Sequence, residues 1–319
     1  MYFILLRIIH CRIFRLMFIV KKYLIALFLF LPMLVAAQEN TSSAVAVLPF
    51  RIYDRFLIIP ATVTSTSDTL HFIFDTGAEV TTLSLETAKT LKLESKEIAG
   101  LSGTDDVVIN VPTSTISLLY LSKTRIPFVK VYLENLKEFR NSPIPIDGII
   151  GVDLLKTFTV TIDYEHSQMI LYRSGKTPAE VKGKRLPLSL NFKTPAIEAM
   201  IDLPDGKTIG NRFHFISGGE YGILFNWPFV EKYNLMTALP TINKDQVHDL
   251  FKVLTYTNVN VPHLAMGAYR VDDVPASYSP DVDDAGSVTE VAGSIGYLVW
   301  KQFRTITINY NERELFLQK

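Results

Sequence analysis

Residues 71–84 read "HFIFDTGAEVTTLS": an apolar run drives into the tight turn Asp75-Thr76-Gly77-Ala78 and emerges into a second apolar stretch. Residues 212–224, "RFHFISGGEYGIL", repeat that plan. Aligned on the turn, Ile216 stands at the place of Asp75, Ser217 at Thr76, Gly218 at Gly77 and Glu220 at Glu79. The chain therefore copies a turn and drops its acid from one copy.

Outward from these turns the correspondence continues. "SLETAKTLKL" follows the first, with Ser84 as expected N-cap, and "NWPFVEKYNL" follows the second, with Asn226 as N-cap and Pro228 in the first turn. Further on, "DGIIGVDLLKTFTVTIDYEHSQMILY" (147–172) matches "AGSIGYLVWKQFRTITINYNERELFL" (292–317). Asp75 to Gly148 spans 73 residues and Ile216 to Gly293 spans 77. An apolar-Pro pair occurs in both halves, at 126–127 and 274–275. The remaining segments alternate Val, Ile, Thr and Phe between turn residues, the pattern of strands. The expected fold is mostly β, in two lobes over 44–182 and 183–319.

The N-terminus reads differently. Lys21 and Lys22, an apolar run and the ending Val35-Ala36-Ala37 form a secretory signal, with cleavage expected after Ala37 and translation expected to start at Met17. The apolar run is short for a membrane span, so none is expected in the mature chain. Export to the periplasm or the exterior follows. The single cysteine, Cys11, falls in this segment, which leaves no disulfide, thiol nucleophile or Cys-ligated metal beyond it. The 319-residue chain balances 32 Lys and Arg against 32 Asp and Glu, which argues against a nucleic-acid partner.

"IFDTGA" with "IIG" at 149–151 resembles the aspartic peptidase superfamily, the retropepsin and pepsin relatives, across essentially all of the mature chain. The resemblance implies two retropepsin-like β-barrel lobes related by a pseudo-two-fold axis about a central cleft. It gives Asp75 the catalytic role, with Thr76, Gly77 and Ala78 completing the acid loop and Ile150 and Gly151 supporting it from beneath. It also makes "AGLSGTDDVVINV" (99–111) the flap, with Gly100, Leu101, Ser102 and Gly103 near its tip. The family works with two carboxylates sharing one proton, and the loop Ile216-Ser217-Gly218 departs from that pattern. Glu220 and Asp205 are the nearby acids weighed as substitutes; Glu220 shares its place with Glu79, and Asp205 sits in the turn "LPDGKT".

No cofactor or metal is expected. "DVDDAG" (281–286) starts like a calcium loop, but Ala292 holds the twelfth position where a bidentate Glu belongs. His71, His166, His214, His248 and His263 lack metal-ligand spacing, and no serine elbow, phosphate loop or dinucleotide fingerprint occurs. The expected function is binding of extended peptides between the lobes with weak or no hydrolysis, as a monomer. The alternatives are an active endopeptidase using Asp75 plus an unidentified acid, and a structural module of an envelope assembly.

Overall fold

A computed structural model describes residues 43–319 apart from 65–67, 103–107, 137–138, 140–141, 249–252 and 281–290. The expected signal segment, Gly103 and the calcium-like stretch lie outside the described residues. From Ala44 to Lys319 the chain forms one compact unit.

The first half runs β1 (Ala44–Pro49), β2 (Arg51–Tyr53), β3 (Phe56–Val63), β4 (Leu70–Phe74) and β5 (Thr82–Ser84) into α1 (Leu85–Thr90). It continues with β6 (Glu97–Ser102), β7 (Val108–Leu121), β8 (Thr124–Glu134), β9 (Gly148–Ile150), α2 (Val152–Thr157), β10 (Phe158–Asp163) and β11 (Gln168–Arg173). The second half runs β12 (Lys184–Pro187), β13 (Ser189–Phe192), β14 (Thr194–Asp202), β15 (Thr208–Phe215) and β16 (Ile223–Phe225). The helices α3 (Trp227–Lys232) and α4 (Leu235–Ala238) follow, then β17 (Asn243–His248), β18 (Val253–Met266), β19 (Tyr269–Tyr278) and β20 (Val291–Ile295). The chain ends with α5 (Tyr297–Trp300), β21 (Thr305–Asn309) and β22 (Glu314–Gln318).

Strands of the first half are ordered β2-β3-β4-β9-β5-β8-β7-β6, and β3 also pairs β7, which closes six of them into a barrel. The second half is ordered β13-β14-β15-β20-β16-β19-β18-β17, closed in the same way by β14 on β18. In both barrels the strand that leads into the turn runs parallel to the Gly-x-Ile strand, β4 with β9 and β15 with β20. Closure hides the backbone edges of these strands, and the side chains inside both barrels belong to one continuous core. Phe72, Phe74, Leu57 and Leu83 fill the first, and Phe213, Phe215, Ile295 and Trp300 the second.

A third sheet, β1-β11-β10-β21-β22-β12, joins the lobes. Its centre is the antiparallel pair β10–β21, in which Thr161 faces Thr307 with their hydroxyls 2.6 Å apart. The pseudo-two-fold axis passes between these two threonines. On either side β10 and β21 are almost wholly buried, which explains why both read as near-continuous Val, Ile, Thr and Phe.

The local signals are realised. Ser84 caps α1, its hydroxyl accepting from the Thr87 N–H at 3.0 Å. Asn226 precedes α3 but turns its amide to the Val291 carbonyl at 3.1 Å, tying the helix start to β20.

One correspondence is corrected. Thr82 and Leu224 hold equivalent places, each opposite the residue that follows the first glycine of Gly-x-Ile-Gly (Ile149 and Ser294). They pair with Tyr132 and Ser277, so Pro127 lies five residues before its landmark and Pro275 only two before its own. The prolines are not counterparts. What does correspond is backbone: Phe128 (φ 53°) and Asp273 (φ 51°) each stand four residues before the landmark in left-handed conformation.

Candidate functional site

The two turns meet at the lobe interface. β4 delivers Asp75, whose N–H donates to the Ile150 carbonyl at 3.0 Å, and β15 delivers Ile216, whose N–H donates to the Ile295 carbonyl at 3.0 Å. Each turn is clamped by the following junction: Val152 N–H to the Ala78 carbonyl at 2.9 Å, and Tyr297 N–H to the Gly219 carbonyl at 2.7 Å. A Cβ on Gly151 would sit 1.8 Å from the Asp75 carbonyl oxygen, so only glycine permits this approach.

Across the interface Thr76 and Ser217, both buried, make four hydrogen bonds, two with each other and two to carbonyls of the opposite lobe. The Thr76 hydroxyl donates to the Phe215 carbonyl (2.5 Å) and accepts from the Ser217 N–H (3.0 Å). The Ser217 hydroxyl donates to the Phe74 carbonyl (3.0 Å) and accepts from the Thr76 N–H (3.0 Å). A hydroxyl can do both jobs at once, which is why the residue after each strand end is Thr or Ser. Substituting Ser for Thr in the second copy leaves this exchange intact.

Asp75 is half-buried. Its Oδ1 accepts from the Gly77 N–H at 2.8 Å and from the Gly218 N–H of the other lobe at 3.1 Å. Gly218 packs so closely on the carboxyl that a Cβ there would lie 2.4 Å from Asp75 Cγ. Burial pushes the Asp75 carboxyl above the ordinary aspartate range, and the two N–H bonds offset this only in part. Among the described residues no charged group contributes to that shift.

Ile216 answers Asp75 across the axis, equally half-buried. Its Cδ1 stands over Gly77, 2.9 Å from where a Cβ would project. Neither Asp205 nor Glu220 contributes to the Asp75 shift. Asp205 is exposed and tied to Lys207, whose backbone N–H and ammonium hold it below the ordinary range. Glu220 gives its backbone carbonyl to Arg55 at 2.9 Å, and its carboxyl is raised by burial and by Asp54, against the pull of Arg55.

Arg55 belongs to a feature the sequence reading missed. Arg55 (φ 70°) and Lys193 (φ 61°) occupy equivalent hairpin turns and reach to the opposite lobe. Lys193 Nζ meets Glu79 Oε2 at 2.7 Å, as Arg55 meets the carbonyl of Glu220. Glu79 and Glu220 thus share a place at the lobe contact.

The expected flap is the β6–β7 hairpin: Gly100 pairs with Asn110, Leu101 with Ile109 and Ser102 with Val108. A second hairpin, β17–β18, stands at the same place in the other lobe, pairing Asn243 with Asn258 through His248 with Val253. Its first strand reads "NKDQVH" and lacks alternating hydrophobicity; only carrying the repeat through would have found it. Asp163, Glu165 and His166 cluster within 4.8 Å, but His166 pairs with Asp163 at 2.8 Å and Glu165 with Arg304, which accounts for the group as a satisfied turn. Among the described residues no helix is long and apolar enough to cross a membrane.

Residues 59–154, which span β3 to α2 and include Asp75, match the family model described as aspartyl protease. Among solved structures the chain is similar to the aspartic proteinase from Irpex lacteus, with a TM-score of 0.54 and 13% identity, over 86% of this chain and 97% of that one. No curated protein matches. With two closed barrels and a shared central sheet, the chain has the fold of that aspartic proteinase, and the part of it that carries the acid loop, residues 59–154, matches the aspartyl protease family model.

Proposed function

We propose that this protein binds extended peptides between its lobes and hydrolyses them weakly or not at all. The observation that carries the reading is Ile216 over Gly77, beside an Asp75 carboxyl that is held by burial and by the Gly77 and Gly218 N–H groups. Peptide hydrolysis on this fold asks one carboxylate to activate water while a second, protonated, polarises the carbonyl. Asp75 alone supplies one of these roles at a time. The two hairpins support peptide binding, because paired strands can offer backbone hydrogen bonds to an extended ligand. The signal at the N-terminus supports export.

The family match of residues 59–154 favours the other reading, an active endopeptidase with a second acid supplied from elsewhere. A peptide pool incubated with residues 38–319 from about pH 3 to about pH 7, and read by mass spectrometry, separates the two. The proposal expects peptides retained and intact. Cleavage that disappears in Asp75→Asn overturns it in favour of a second acid. Ile216→Asp should switch on acid-dependent cleavage, because Gly218 N–H stands two residues from position 216, as Gly77 N–H does from Asp75.

A further inference from the structure

We propose that the outer face of β8 in the first lobe docks on an anionic lipid bilayer, with Phe128 inserted between the headgroups and Lys123, Arg125 and Lys130 lying on their phosphates. The inference takes export from the reading above and is otherwise independent of what the two lobes bind between them.

A strained backbone here serves an exposed ring. Phe128 lies in left-handed conformation, φ 53°, and is 77% exposed. The pairing of β7 with β8 steps from Leu118–Pro127 to Ile116–Val129, and the left-handed residue between these pairs leaves both Pro127 and Phe128 facing solvent. The other lobe repeats the device. β18 with β19 steps from His263–Asp272 to Val261–Val274, and Asp272 and Asp273 (φ 51°) face solvent together. Aspartate suits that place, because a short polar side chain tolerates a left-handed backbone and hydrates readily. Phenylalanine is bulky in that backbone and poorly hydrated. An exposed apolar residue is ordinary on any surface, but one held in a strained conformation with its ring in water asks for a partner.

The charges around the ring define that partner. Counted from the left-handed residue, Lys123, Arg125 and Lys130 of the first lobe correspond to Ala268, Arg270 and Pro275 of the second. Ser122 (φ 55°) and Gly267 (φ 57°) mark the same register at the hairpin turn. Arg270, the one cation kept in the second lobe, is met by Asp272 at 3.2 Å and Asp202 at 3.7 Å. Among the described residues neither Lys123 nor Arg125 is in an ion pair. Lys130 reaches Glu97 at 3.6 Å, an exposed pair of little strength. One face thus carries an aromatic wedge among three cations, while its copy carries two acids. An apolar wedge flanked by Lys and Arg is what holds a protein surface to anionic lipid.

The course of the chain favours a bilayer over a second protein. The Thr124 hydroxyl, between Lys123 and Arg125, donates to the Val45 carbonyl at 2.7 Å. The apolar run that ends at Ala37 stops eight residues before Val45, a reach of at most about 29 Å. The chain enters the fold beside the basic turn, so this is the end of the fold nearest the membrane during export.

Residues 38–319 are sedimented with vesicles of phosphatidylcholine and phosphatidylglycerol, mixed roughly two to one, and with vesicles of phosphatidylcholine alone. The parent should bind the mixed vesicles, come off them as salt is raised, and leave the neutral ones unbound. Phe128→Asn suits the left-handed backbone and should unfold in urea no more readily than the parent. It should nevertheless bind roughly tenfold more weakly, the scale of one aromatic side chain leaving water. Lys123→Glu combined with Arg125→Glu should weaken binding roughly thirtyfold or more. In Phe128→Trp, the indole emission added to that of Trp227 and Trp300 should shift to the blue with mixed vesicles only. Equal binding by the parent and Phe128→Asn, no binding to mixed vesicles, or equal binding to mixed and neutral vesicles overturns the proposal. So does a dimer that forms without lipid and is lost in Phe128→Asn, which would assign the face to a second copy of the chain. Cell fractionation reads export on its own, and a chain kept inside the cell overturns that reading and not the vesicle result.

Discussion

Asp75 and Ile216 share everything except the side chain. Each N–H is held by an isoleucine carbonyl at 3.0 Å, and each residue precedes a buried hydroxyl and a glycine. The backbone solution survives in the second copy because Ser217 and Gly218 keep the turn there, while the Gly77 and Gly218 N–H groups both donate to the one carboxylate at Asp75. One consequence is thermodynamic. The folded protein holds the Asp75 proton more tightly than the unfolded chain does, because burial raises its value. Stability therefore falls as pH rises from the unfolded value of about 3.9 through the raised folded value, and is level beyond it. Asp75→Asn removes that loss. It should be more stable than the parent near pH 7, with the difference shrinking below about pH 4, as read by urea unfolding at both pH values. An equal gain at both would place the effect in packing rather than in the charge.

At the scale of elements, the parts legible in the sequence were those governed by short-range backbone rules. Ser84 announced α1 because an N-cap acts within three residues, and the Gly-x-Ile-Gly strands announced themselves because only glycine tolerates a carbonyl at such range. The prolines misled because identity was matched where the fold repeats a φ angle instead, at Phe128 and Asp273. The exchange between Thr76 and Ser217 spans 141 residues of sequence, yet its chemistry could be anticipated from the hydroxyls. Ser217→Ala removes an acceptor from the Thr76 N–H and a donor from the Phe74 carbonyl, both buried. It should cost about 2–4 kcal/mol in chemical denaturation, the range for stranding one or two buried groups. Ser217→Thr, which copies the first lobe, should restore most of it. Equal losses in both variants would contradict the hydroxyl account.

At the scale of the molecule, the second lobe gives the first what a copy of the first could give. Ser217 stands for Thr76, Phe215 for Phe74 and Thr307 for Thr161. Arg55 could meet Glu79 of a second copy as Lys193 does here. Residues 44–182 alone should therefore form a symmetric dimer, detected by sedimentation equilibrium, with two Asp75 loops face to face and acid-dependent hydrolysis. A monomer at all concentrations would mean that the contacts have diverged beyond self-recognition. The arms of Arg55 and Lys193 were not legible because their partners lie 165 and 114 residues away. The β17–β18 hairpin was hidden by the polar, exposed face of its first strand.

One carboxyl, Asp75, stands at the meeting of the two turns, with Ile216 in the equivalent place of the second. The most direct measurement is an NMR titration of the Asp75 carboxyl carbon in residues 38–319, assigned by comparison with Asp75→Asn. A single step with its midpoint above the ordinary aspartate value is the predicted result. Two coupled steps would reveal a second acid sharing the proton and would contradict the account.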